Sequence, residues 1–178
     1  MADNTKEQPP EEESLDLDKQ EGITPEPIPE PITFLNLHNG LTFSCVDGLN
    51  IDPKAVYAIK ITAGELRAND FKSKWEKDQD QNREHPPIDP QYPQQTCSKR
   101  GVSISSTEEA DKLEGGVSGP VASQPKHYNR IALFTFGGRC GCVKPTKSKR
   151  NDYHCDFYKS DQFDFTHVSV VEIKPLHP

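Results

Sequence analysis

Seven basic side chains lie between Lys126 and Arg150 with no acid among them: Lys126, Arg130, Arg139, Lys144, Lys147, Lys149 and Arg150. A local charge of +7 is a candidate surface for anions, and nucleic acid is the commonest polyanion. A basic loop that only aids solubility has the same composition. Five cysteines, Cys45, Cys97, Cys140, Cys142 and Cys155, carry the other readable chemistry. An odd number means two bridges and one thiol in an oxidising compartment, or five thiols or a metal site in a reducing one. A zinc site would draw on Cys140, Cys142, His154 and Cys155. The spacing is poor for it: structural zinc sites take cysteine pairs two to four residues apart, and adjacent His154 and Cys155 would point to opposite faces of a strand. No metal or other cofactor is therefore expected. A bridge from Cys45 to Cys155 would close a long loop, stabilising by about 4 to 5 kcal/mol in the chain-entropy model.

The elements that must position these residues read as follows. Ile32 to Leu37 and Leu41 to Cys45 flank His38-Asn39-Gly40, and Asn-Gly is a strong hairpin signal. Asp52-Pro53 offers an N-cap and a first-turn proline, and Val56, Ile59, Ala63 and Leu66 recur at helical spacing. This predicts one helix from Pro53 to about Ala68. Residues 72–123 are polar and rich in Pro, Gln, Ser and Gly, which reads as a long loop. Ile131 to Phe136, Cys140 to Lys144 and Tyr153 to Tyr158 read as strands, and residues 163–173 as an extra C-terminal edge strand. One helix with an antiparallel meander is an α+β arrangement.

The charge is unevenly spread. Residues 1–31 hold ten acids, two lysines and six of the 16 prolines, whereas residues 32–178 hold 18 acids and 19 bases, net +1. The overall charge of -7 thus belongs to a tail expected to be disordered, and 32–178 is expected to be the domain. No apolar run approaches the roughly 18 residues a membrane helix needs. An acidic stretch follows Met1, so no secretory signal is read in the chain.

Phe43-Ser44-Cys45, the helix from Pro53, Tyr92-Pro93, Gly119-Pro120-Val121, Asn129-Arg130-Ile131, Cys140-Gly141-Cys142-Val143 and the closing Cys155 occur in an order with precedent. That order resembles the microbial guanyl-specific ribonucleases and ribotoxins, and more closely the ribonuclease-like secreted effectors of powdery mildew fungi. The resemblance covers about residues 41–157. It implies one helix packed on a twisted antiparallel sheet, linked by disulfides. The active family cleaves RNA without metal, using a general base, a general acid and a cation on the developing phosphorane. The family's acid and base positions are occupied here by Gln94, Ser118 and Pro145, whereas its tyrosine and phosphate-binding arginine match Tyr92 and Arg130. Loss of a general acid or base each forfeits roughly 10²- to 10⁴-fold in rate. The resemblance therefore implies a secreted, monomeric, non-catalytic virulence effector. It would bind RNA, a ribonucleoprotein or a host protein such as an immune receptor, away from any membrane. The binding residues would be Tyr92, Arg130, Arg139, Lys144, Lys147, Lys149 and Arg150. It also implies bridges Cys45–Cys155 and Cys97–Cys140 with Cys142 as the odd thiol, although strand alternation places Cys140 and Cys142 on one face and leaves that choice open. Two alternatives stand beside it. One is an active ribonuclease in which His127, His154 or Glu114 replaces the missing groups, and the other is a cytosolic interaction or zinc-binding module.

Overall fold

A computed structural model describes residues 30–49, 55–85, 88–107, 130–147 and 152–175. The acidic stretch 1–29 expected to be disordered lies outside them, as do the catalytic-position residue Ser118 and the candidates Glu114 and His127. Six strands form one antiparallel sheet: β1 Val56–Ile61, β2 Val102–Ser106, β3 Arg130–Phe136, β4 Gly141–Pro145, β5 His154–Lys159 and β6 Val168–Pro175. Their order is β4-β5-β2-β1-β3-β6. Helices are short: α1 Leu35–His38, α2 Lys74–Asp80 and α3 Pro93–Arg100, with 3-10 turns at Ala68–Phe71 and Phe165–His167. The protein is α+β, as expected, and among the described residues no helix is long and apolar enough to cross a membrane.

Strand alternation builds the main core on one sheet face. Tyr57, Ile59 and Ile61 of β1, Val102 and Ile104 of β2, Ala132, Phe134 and Phe136 of β3, and Cys155 and Phe157 of β5 all turn inward. Phe71, fully buried, lies at the centre of this face, with the rings of Phe134, Phe136, Phe157, Phe163 and Phe165 at centroid distances of 5.1 to 6.4 Å. Aromatic pairs at such distances add to the stabilisation from burial.

The expected helix from Pro53 to Ala68 is not there. Val56–Ile61 is β1, paired through six consecutive positions with β3. The segment Val-Tyr-Ala-Ile-Lys-Ile carries β-branched and aromatic residues at every second position, and this two-residue period outweighs the helical spacing of Val56 and Ile59. Pro53 lies outside the described residues. The expected hairpin is also replaced. Leu35–His38 is one helical turn, whose Leu35 and Asn36 N–H groups donate to the Asp161 carboxylate at 2.7 and 3.0 Å. The expected loop 72–123 contains α2, α3 and β2, and its residues 108–123 lie outside the described ones. At the C-terminus the strand begins at Val168, after the 3-10 turn rather than at Phe163. The sheet is not a meander, because β1, β2 and β5 lie between β3 and β4, which are consecutive in the chain.

The disulfide pattern is corrected as well. Cys45 bonds to Cys97, while Cys140, Cys142 and Cys155 are thiols. The reason lies in the sheet. Cys155 and Cys140 belong to the aromatic core, whereas Cys45 and Cys97 pack with Leu37 and Tyr158 in a second cluster on the other face. Both expected bridges, Cys45–Cys155 and Cys97–Cys140, would have to pass through the sheet. Cys140 and Cys142 do not share a face: Cys140 precedes β4 and joins the core, whereas Cys142 Sγ points to the Leu49 carbonyl at 3.9 Å. Among the described residues no group of three or more His, Cys, Asp or Glu is placed to hold a metal ion.

Candidate functional site

Helices α2 and α3 frame a cavity of about 460 Å³, in the size range of small-molecule sites. The start of α2 is fixed by a capping box. Ser73 Oγ accepts from Glu76 N, and Glu76 Oε2 accepts from Ser73 N at 2.7 Å. Glu76 also meets Lys159 at the end of β5, which ties α2 to the sheet. This holds Trp75, the single tryptophan of the chain, at the cavity wall. α3 begins with Pro93 in its first turn, and Tyr92 immediately before it is 57% exposed at the cavity rim.

Arg100, the last residue of α3, forms the buried floor. Its Nη1 donates to the carbonyls of Leu37 and Asn39 at 2.5 and 2.8 Å, and its Cζ lies 4.5 Å from the centre of a Trp75 ring. The other stacking partner of Trp75 is His85, at 5.6 Å. Arg100 Nε is buried with no acceptor among the described residues. Burial lowers the Arg100 pKa, and an anion placed at Nε would relieve that desolvation. Lys74 and Arg83 on the wall share Asp78, whereas Lys99 lines the cavity beside Arg100. An aromatic wall next to a guanidinium can hold a flat ring by stacking and an attached anion by charge-assisted hydrogen bonds.

Of the residues expected to bind phosphate, only Tyr92 lines this cavity. Arg130 begins β3 and Lys144 lies in β4, four strand spacings away across the sheet, or roughly 19 Å at the usual interstrand distance. They also occupy opposite faces, since Arg130 pairs with inward Ile61 and Lys144 with Asp156. Arg139 sits in the turn before β4 with φ 71°, and Lys147 follows β4, while Lys149 and Arg150 lie outside the described residues. The basic run is therefore not assembled into one patch by the described residues. Gln94 is exposed on α3 and Pro145 ends β4, on separate elements. Trp75, His85 and Arg100 were missed because their segment reads as a loop. A lone tryptophan inside a polar stretch was the available signal.

No family model, curated protein or solved structure matches the chain.

Proposed function

We propose that this protein binds single-stranded RNA without cleaving it, seating a base in the cavity between α2 and α3 with a phosphate at Arg100 and Lys99. The observation that carries the reading is buried Arg100, stacked on Trp75, with its Nε lacking an acceptor among the described residues, in the lining of the cavity that Tyr92 and His85 border. Aromatic platforms beside cations are how single strands are held without reading sequence. The reading keeps Tyr92 from the ribonuclease resemblance and moves the cation from Arg130 to Arg100. Gln94 and Pro145 cannot act as proton-transfer groups, which supports binding without turnover.

Because Trp75 is the single tryptophan, a stacked base would report itself by quenching its fluorescence. Titration with a short single-stranded oligouridylate should quench saturably, with affinity falling steeply as salt rises. Tyr92→Ala should weaken binding about tenfold or more, as loss of one base stack does, and the RNA should remain intact on a denaturing gel. Absence of quenching, or binding indifferent to both salt and Tyr92→Ala, overturns the reading. A host protein would then be the partner class to pursue.

A further inference from the structure

Ser103 of β2 and His154 and Asp156 of β5 project from the sheet face opposite the aromatic core, since they alternate with inward Val102, Ile104, Cys155 and Phe157. Ser103 is paired with Asp156, and Ser105 with His154, so Ser103 and His154 are diagonal neighbours. Ser103 Oγ lies 2.7 Å from His154 Nε2, and Thr146 Oγ1, just beyond β4, lies 2.8 Å from His154 Nδ1. The Asp156 carboxyl lies next in the series, its charge favoured by the side chains of Thr146 and of Ser98 in α3, while its Oδ2 is buried with no hydrogen-bond partner among the described residues. The series runs inward from solvent. Ser103 is exposed, His154 and Thr146 are half-buried, and Asp156 is 1% exposed.

The proton positions follow from which groups can donate. When Asp156 is ionised it only accepts, so a Thr146 hydroxyl hydrogen turned toward it leaves the Thr146 oxygen to accept Nδ1–H from His154. Nε2 is then left with its lone pair toward Ser103, whose hydroxyl donates to it. This is the tautomer that a serine, histidine and aspartate triad requires, with one hydroxyl interposed. Lys144 lies opposite Asp156 on β4, and Lys60 projects from the same face of β1, which places two ammonium-bearing chains on either side of the row.

The geometry points to Ser103 as an activated nucleophile toward carboxylic esters, with His154 as its general base and Thr146 and Asp156 as positioning residues. Ser103 Oγ bonds to the carbonyl carbon as its proton passes to His154 Nε2. The ester C–O bond breaks as that proton passes to the departing alkoxide, leaving an acyl-serine and an alcohol. Water, deprotonated by His154, then attacks the acyl carbon and releases the carboxylic acid, and the proton returns to Ser103. Attack and departure use one side of the carbonyl, so a single imidazole serves both. In-line phosphoryl displacement would need an acid on the far side, and no second imidazole is hydrogen-bonded into this network among the described residues. The site shares no residue with the α2–α3 cavity, so either assignment can fail without the other.

The test uses the full chain with a fluorophosphonate probe, the modified peptide being located by mass spectrometry, and p-nitrophenyl acetate hydrolysis in parallel. Label is expected on Ser103, and Ser103→Ala should abolish both label and the saturable hydrolysis. His154→Gln should slow labelling roughly 100-fold or more, the range lost with a general base. Thr146→Val and Asp156→Asn should keep the labelled position while lowering the rate and moving its pH profile. Circular dichroism on each variant establishes that it is folded. No label on Ser103 in the wild type, or labelling at an unchanged rate in folded His154→Gln, overturns the nucleophile. Unaltered pH profiles in Thr146→Val and Asp156→Asn overturn the positioning roles.

Discussion

The two faces of the one sheet are built by different physics. The core face presents Tyr57, Ile59, Ile61, Phe134, Phe136 and Phe157 around Phe71, and its order comes from volume and ring geometry. The opposite face presents Ser103, Ser105, His154, Asp156 and Tyr158. Its Asp156 and Tyr158 part is covered by α3 and by the segment that the Cys45–Cys97 bridge ties to it, while Ser103 stays exposed. One face tolerates no lost volume. The other places polar groups under a cover, where hydrogen bonds and close approach decide what fits. The difference shows where chemistry can sit on the sheet, because a site needs titratable groups and, of its two faces, the second is the one that clusters them among the described residues.

The largest expected effect tests the core face. Phe71→Ala removes the ring that five others surround, and a buried Phe→Ala change costs about 3 to 5 kcal/mol. Urea unfolding should show the loss as a lower midpoint at similar slope. Next comes the cover of the second face. Cys45→Ser with Cys97→Ser releases a loop of 52 residues, and native bridges of this kind contribute about 2 to 4 kcal/mol. The same loss should appear in wild type under reductant and be absent from the double variant, which would otherwise show that the bridge does not form. A smaller effect tests close approach. A Cβ on Gly101 would lie 2.7 Å from Asp156 Cβ and 3.1 Å from Tyr158 Cε1, so Gly101→Ala must push α3 from the sheet. Overpacking of this sort costs about 1 to 3 kcal/mol, and a neutral result would mean that the cover is loose.

The same contrast explains what was legible in the sequence. Strands β3, β4 and β5 could be read because Ile131 to Phe136 and Tyr153 to Tyr158 carry dense apolar and aromatic runs that a buried strand needs. β1 was misread because Val56, Ile59, Ala63 and Leu66 satisfy a helical period while Tyr57, Ile59 and Ile61 satisfy a strand period, and only pairing with β3 selects between them. β2 was invisible, since Val-Ser-Ile-Ser-Ser lies inside a polar stretch and its Ser103 and Ser105 face the second side. The site shared this fate. His154 and Asp156 could be placed on one face by alternation, but their neighbour Ser103 lies 51 residues from His154 in a strand that was not read, and Thr146 lies just beyond β4, where alternation does not place it. The bridge failed for a related reason: spacing along the chain does not say which face a cysteine occupies.

The smallest effect turns the comparison into one between two carboxylates, Asp161 and Asp156. Burial opposes ionisation of Asp161, but the backbone N–H groups of Asn36 and Leu35 outweigh it and hold its pKa below the ordinary 3.8. Its contribution is present above the unfolded pKa and is lost as pH falls through the lower folded value. Asp156 behaves in the opposite sense. Burial raises its pKa above 3.8 against the pull of His154, Thr146, Ser98 and Lys144, so a stability penalty is absent in acid and grows as pH rises from 3.8 toward the folded value. Asp161→Asn should therefore destabilise at neutral pH and merge with wild type in acid, whereas Asp156→Asn should stabilise at neutral pH and merge with wild type in acid. Urea midpoints measured between pH 3 and 8 decide it. An Asp156→Asn variant that is less stable than wild type at neutral pH would mean that its hydrogen bonds outweigh its burial, and the second face would then be held by satisfied polar contacts rather than strained by one. Stabilisation together with slower Ser103 labelling in that variant would instead mark Asp156 as a group kept at the expense of stability for the sake of the imidazole it orients.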